Sequence, residues 1–203
     1  MSCVLKIGLV GPESTGKSTL AAALAEHYGT AWIPEYARAY VGALARPYTY
    51  QDVCHVAEQN RREANLSQPL STSLNLSEPL STFLNLSKQP SGPLFFDTEL
   101  IITKVWLDEV YGRRPEWLTS PIPEDCRMDF YLLLSPDIAA VPDPLRENLS
   151  QPARERLFRL YQQEIESTGR PYAIIAGQGA ERFQNALSVV GQFVKSAGAK
   201  EQD

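Results

Sequence analysis

The sequence predicts a three-layer α/β fold with a mostly parallel central sheet. Two observations carry this: short apolar runs alternate with longer segments of helical periodicity, and the first run leads through a glycine loop directly into a helix-forming stretch. Val4–Val10 is rich in Val, Leu and Ile and ends at Gly11, as suits a strand buried on both faces. Ser18–Glu26 holds mostly good helix formers, and Gly29 offers a stop. A brief strand follows at Ala31–Ile33, ended by Pro34. Glu35–Ala45 and Tyr50–Ala64 read as helices, the second with Val53, Val56, Ala57 and Asn60 at helical spacing. Leu94–Phe96 is a second buried strand and runs into Asp97. Glu99–Tyr111 presents Ile101, Ile102, Val105, Trp106 and Val110 on a broad apolar face and is stopped by Gly112. Phe130–Leu134 and Tyr172–Ala176 are further strands. Ala153–Glu166 and Ala180–Ser196 are the closing helices, with Gly169-Arg170-Pro171 turning the first towards the last strand.

A chain of 203 residues is long enough to bury a substantial core without disulfides, and the expectation is one domain over 1–203. Lys and Arg total 19 against 24 Asp and Glu, a formal charge of −5, which implies no broad cationic surface for nucleic acid or an anionic membrane. Cys3, Cys54 and Cys126 are far apart and form no CxxC pair, so they read as ordinary cytosolic thiols. The apolar start is too short for a secretory segment and contains Lys6, and no stretch approaches membrane-spanning length. The expected location is cytoplasmic.

One stretch departs from the alternation. Asn65–Leu74, Asn75–Leu84 and a degenerate Asn85–Pro90 repeat a ten-residue, Ser- and Pro-containing unit. That period is too short for a solenoid, so roughly 65–92 reads as an inserted low-complexity loop.

Gly11-Pro12-Glu13-Ser14-Thr15-Gly16-Lys17-Ser18 satisfies GxxxxGK[ST] with a buried strand before it and a helix after it. The types are those the chemistry needs. Gly11 and Gly16 let the backbone curl so that the N–H groups around Glu13, Ser14, Thr15 and Thr19 face phosphate oxygens at the positive end of a helix dipole. Lys17 then reaches the β/γ-phosphates of ATP, and the Ser18 hydroxyl helps to hold Mg²⁺. Asp97 directly follows a strand, at the carboxyl edge of the sheet where open α/β folds bind ligands. It could place Mg²⁺ with Ser18 or accept a hydroxyl proton; as an alternative, it caps the Thr98–Tyr111 helix. Glu35 also follows a strand, beside Tyr36 and Arg38, and could bind sugar hydroxyls or serve as base; Glu99 is a third carboxylate near Asp97. The sequence does not rank the three as base.

The Pro-rich stretch Pro136–Pro152 should be irregular and exposed. Arg146 and Arg154 within and after it are candidate lid arginines that would neutralise charge on a transferred phosphoryl group, whereas Arg156 and Arg159 read as solvated helix residues. His27 and His55 have no metal-ligand spacing and read as surface or packing residues. Trp106 and Trp117 read as core.

Taken in order, Gly11–Ser18 with Thr19-Leu20, Glu35-Tyr36-Ala37-Arg38, Phe96-Asp97-Thr98-Glu99, Pro136-Asp137-Ile138, Asp143-Pro144-Leu145-Arg146 and Pro171-Tyr172 through Gly177 resemble NadR-type ribosylnicotinamide kinase domains. The resemblance covers nearly the whole chain except the repeats. It implies a P-loop NTPase fold and ATP-dependent phosphorylation of the ribose 5′-hydroxyl of nicotinamide riboside, with Mg²⁺. Many relatives read Asp-Thr-Asp at Asp97-Thr98-Glu99 and Pro-Trp at Ala139-Ala140, differences that bear on the acceptor. Larger relatives add a nucleotidyltransferase domain with an HxGH motif; two isolated histidines imply a stand-alone kinase here. A regulatory ATPase, or a nucleotide sensor without turnover, would use the same loop. The missing [NT]KxD element argues against a GTPase.

Overall fold

In the computed structural model, residues 4–65, 92–141, 148 and 150–200 are described. Their elements are β1 (Lys6–Val10), α1 (Lys17–Tyr28), β2 (Trp32–Ile33), α2 (Tyr36–Gly42), α3 (Tyr50–Ala64), β3 (Leu94–Asp97), α4 (Leu100–Tyr111), a 3-10 turn (Glu124–Cys126), β4 (Phe130–Leu134), α5 (Gln151–Ser167), β5 (Tyr172–Ile175) and α6 (Ala180–Lys200). The strands order as β2-β3-β1-β4-β5, and every neighbouring pair is parallel. The expected alternation holds. The helix read over Glu35–Ala45 is shorter, and the last two helices run past their expected ends. Pro152, assigned to the irregular stretch, lies in the first turn of α5, where its missing N–H costs no helical bond.

Alternation along the strands builds two cores. Ile7, Leu9, Phe95, Leu132 and Leu134 face α1 and α6, packing on Leu20, Leu24, Ala186 and Val190. Val10, Phe96, Tyr131 and Leu133 face the opposite way, onto Val53, Ile101, Val105, Leu157 and Ile165 of α3, α4 and α5. Every residue of β4 is buried, as a strand covered on both faces must be. Each buried aliphatic side chain contributes about 1.5–3 kcal/mol to this sandwich.

Polar groups join the helices of the second layer. Thr103 of α4 donates to Asn60 of α3 at 2.6 Å, and Asn60 and Gln59 donate to Glu63 at 3.5 and 2.9 Å. Burial pushes the Glu63 carboxyl up to about 7 against the pull of these donors. The folded chain therefore holds an extra proton between the ordinary glutamate value and about 7, and stability present below that window declines as the pH rises through it. Glu63→Gln, which keeps an acceptor and removes the charge, is expected to stabilise the chain by about 1–2 kcal/mol more at pH 8.5 than at pH 5. Denaturant unfolding at the two pH values checks this; an equal effect at both would show that Glu63 is ionised in the fold throughout.

Candidate active site

The loop after β1 is shaped by backbone conformations that side chains rarely adopt. Gly16 sits at the N-cap of α1 with φ 78°, and Ser14 is also left-handed at φ 58°. Helices α3, α4 and α5 are capped by the side chains of Thr49, Glu99 and Ser150. By contrast, α1 has no side-chain cap and no acidic residue in its first turn, while Ser18 and Thr19 there are exposed. Its first N–H groups and its dipole are thus directed at the space the loop encloses. Within the loop, Thr15 Oγ1 donates to the Pro12 carbonyl at 2.8 Å, and Lys17 Nζ donates to the carbonyls of Gly11 and Pro12 at 2.8 and 3.0 Å.

Pairing of β1 with β3 brings the carboxylate to this loop. Asp97 is in register with Leu9, and the Thr98 N–H donates to the Leu9 carbonyl at 3.4 Å. Asp97 is 1% exposed, and burial pushes its carboxyl above the usual range; the Ser18 hydroxyl, the Lys17 ammonium, the Glu35 backbone N–H and Arg38 act in the other direction. Four residues singled out in the sequence therefore bear on one carboxylate. Its Oδ1 is buried without a hydrogen-bond partner among the described residues, as is Thr98 Oγ1. Thr98 has φ 70°, a strained conformation for a β-branched residue of the kind that clusters at functional sites.

The helix-capping alternative for Asp97 is not what the chain does. Glu99 is the cap of α4, its two carboxylate oxygens each 3.1 Å from the Ile101 N–H. It is 2% exposed, and burial pushes it up to about 8. Glu35 and Tyr36 begin α2, and the Tyr36 hydroxyl shares a 2.9 Å hydrogen bond with His55 Nε2. The Tyr36 ring stacks on Tyr40 at 5.7 Å, and His55 lies 4.8 Å from Tyr40. His55 thus joins an aromatic group beside the predicted acceptor residues.

Among the described residues, no cluster of three or more His, Cys, Asp or Glu could hold a metal ion alone. Mg²⁺ needs no such cluster, since it takes one or two protein oxygens and completes its shell with water and phosphate. The Ser18 hydroxyl beside the unpartnered Asp97 Oδ1 fits that requirement.

A sequence profile described as an AAA domain matches residues 6–182. The chain belongs to this AAA domain family. No curated protein matches it in sequence. Among solved structures, NadR protein in complex with NAD and AMP-PNP is similar with a TM-score of 0.61 at 18% identity, over 93% of this chain and 49% of that one. NadR protein in complex with NR gives 0.61 at 19% identity, with the same coverage. The AAA-family chain spans about half the length of these NadR chains. A deoxyadenosine kinase from M. mycoides, with dCMP and dCDP bound, gives 0.50 at 14% identity, over 95% of this chain and 100% of that one. These likenesses establish the P-loop NTPase fold.

Several residues of this AAA-family site take places that sequence reasoning did not give them. Arg146 lies outside the described residues, as do residues 66–91 of the repeat segment. Arg154, expected in the lid, is instead 1% exposed beneath the loop, donating to the carbonyls of Glu13 and Ser14 at 3.0 and 3.4 Å. The stretch after β4 is tied to the loop by side chains: the Val141 N–H donates to Ser14 Oγ at 3.2 Å and the Asn148 N–H to Glu13 Oε2 at 2.8 Å. Tyr161 of α5 was not anticipated. Burial pushes its hydroxyl up, and the charges of Glu13, Glu35 and Glu109 act in the same direction. Only its helical spacing with Leu157 and Ile165 marks it in the sequence, which signals core.

Gly8 lets the cap of α4 approach β1. A Cβ there would stand 2.9 Å from Met128 Cγ and 3.2 Å from Glu99 Cγ and Tyr131 Cδ1. Gly8→Ala is expected to destabilise the chain by about 1–3 kcal/mol through overpacking. Urea unfolding checks this, and an unchanged midpoint would mean that α4 shifts freely.

Proposed function

We propose that the chain is an ATP-dependent small-molecule kinase that phosphorylates the ribose 5′-hydroxyl of nicotinamide riboside, giving nicotinamide mononucleotide. The observation that carries this reading is the convergence of Lys17, Ser18, Arg38 and the Glu35 backbone on the buried Asp97, beside an uncapped helix start. One half of the arrangement suits a triphosphate and the other a hydroxyl acceptor. The solved structures support the same division, since NadR was crystallised with NR and with AMP-PNP, and the deoxyadenosine kinase with nucleotides.

In this reading the loop N–H groups and Lys17 bind the triphosphate, and the Gly11 and Pro12 carbonyls that now hold Lys17 release it to the phosphates. Ser18 and Asp97 would hold Mg²⁺, which would supply charge neutralisation for the phosphates. Asp97 or Glu35 receives the acceptor's hydroxyl proton. Arg38 and Tyr36 orient the ribose.

ATP-to-ADP turnover with Mg²⁺, measured against a panel of nucleosides with mass detection of products, tests the proposal. A monophosphate from nicotinamide riboside, lost in Lys17→Ala, is the expected result; Lys17-dependent ADP with no phosphorylated nucleoside would overturn the kinase assignment in favour of a regulatory ATPase. Asp97→Asn is expected to lower kcat by about 10²–10⁴-fold. Its thermal midpoint should be unchanged or higher, because a buried carboxylate without a full set of partners is removed. An active Asp97→Asn enzyme would exclude Asp97 from the reaction.

A further inference from the structure

Two buried arginines from distant parts of the chain meet the outside of the loop. Arg154, near the start of α5, is 1% exposed and donates from Nε to the Glu13 carbonyl at 3.0 Å. Its other nitrogens reach the carbonyls of Ile138 at 2.8 Å and Ser14 at 3.4 Å. Arg182, in the first turn of α6, is 4% exposed and donates to the Thr15 carbonyl at 2.8 Å, the Gly177 carbonyl at 2.7 Å and the Ser135 carbonyl at 3.2 Å. Asp137 forms an ion pair with Arg182 and accepts from the Gly177 N–H at 2.8 Å. Arg182 thus links the loops at the carboxyl ends of β1, β4 and β5.

The peptide planes give these bonds a direction. In a trans peptide the carbonyl of one residue and the N–H of the next point opposite ways. Holding the carbonyls of Glu13, Ser14 and Thr15 outward therefore turns the N–H groups of Ser14, Thr15 and Gly16 inward, to where phosphate oxygens are expected. Only a guanidinium has enough donors in a fixed fork to engage three carbonyls at once.

We propose that Arg154 and Arg182 are positioning residues that fix the loop's N–H groups in their phosphate-binding orientation and place two fixed positive charges behind them. The proposal rests on the reading that the Gly11–Ser18 loop holds a triphosphate, and predicts that the arginines matter for the triphosphate and not for the acceptor.

The experiment is equilibrium binding of Mg-ATP, inorganic tripolyphosphate and nicotinamide riboside to the full chain and to Arg154→Met and Arg182→Met, with unfolding midpoints recorded. Each variant is expected to weaken ATP and tripolyphosphate at least fivefold, by similar factors, and to leave nicotinamide riboside within twofold. Arg182→Lys, which keeps the charge and one carbonyl contact, should recover part of the loss; if the Met variants do not fold, Arg182→Lys and Arg154→Lys carry the comparison at an expected loss of two- to fivefold. Folded variants that bind tripolyphosphate as the wild type does would overturn the clamp, as would equal losses for triphosphate and nucleoside. A wild-type chain that binds neither triphosphate would sink the loop reading and the clamp together. Binding of tripolyphosphate without nicotinamide riboside would count against the acceptor alone.

Discussion

The parallel pairing of β1 with both β3 and β4 is the constraint on which the rest of the molecule depends. A strand that is hydrogen-bonded on both edges and covered on both faces has no freedom to slide, and a one-residue slip would exchange its two buried sets of side chains. Parallel direction also forces every strand to end on the same side of the sheet. The Gly11 loop, Asp97, Ser135 and the Gly177 turn are therefore neighbours, although they are scattered through the sequence.

The local chemistry at that rim follows from what the sheet leaves there. Burial makes an ionised Asp97 costly, and a hydroxyl, an ammonium, an amide and a guanidinium lower the cost without removing it. The carboxylate is left with an unused acceptor, the condition in which a cation is most readily taken up. The helix that follows Asp97 gets its cap from Glu99, so Asp97, two residues earlier, is not needed for that cap and keeps Oδ1 without a partner among the described residues.

Much of this was legible in the sequence because it is local. Hydrophobic periodicity located the strands and helices, and the spacing from Gly11 to Ser18 located the loop. The gathering of Lys17, Ser18, Glu35, Arg38 and Asp97 followed from strand ends sharing one edge. What was not legible depends on long-range contact. Arg154 and Arg182 have no motif of their own, and their burial against loop carbonyls is decided by the packing of α5 and α6. The same holds for Tyr161, whose spacing signals core although the charges of Glu13, Glu35 and Glu109 bear on its hydroxyl. The role of Glu99 as cap required knowing that the chain turns through a left-handed Thr98.

The places where the repeat segment joins the fold have a further consequence. Lys6, the first residue of β1, holds the Ala64 carbonyl at the end of α3 and pairs in register with Leu94 at the start of β3. The chain thus departs for the repeats, and returns from them, at the sheet's amino-terminal rim, the pole opposite the phosphate loop. Extra residues at that pole lengthen a connection whose entropic cost grows only with the logarithm of its length. A connection anchored at both ends on the amino-terminal rim can therefore vary in length at little cost to the pairing of β1 with β3.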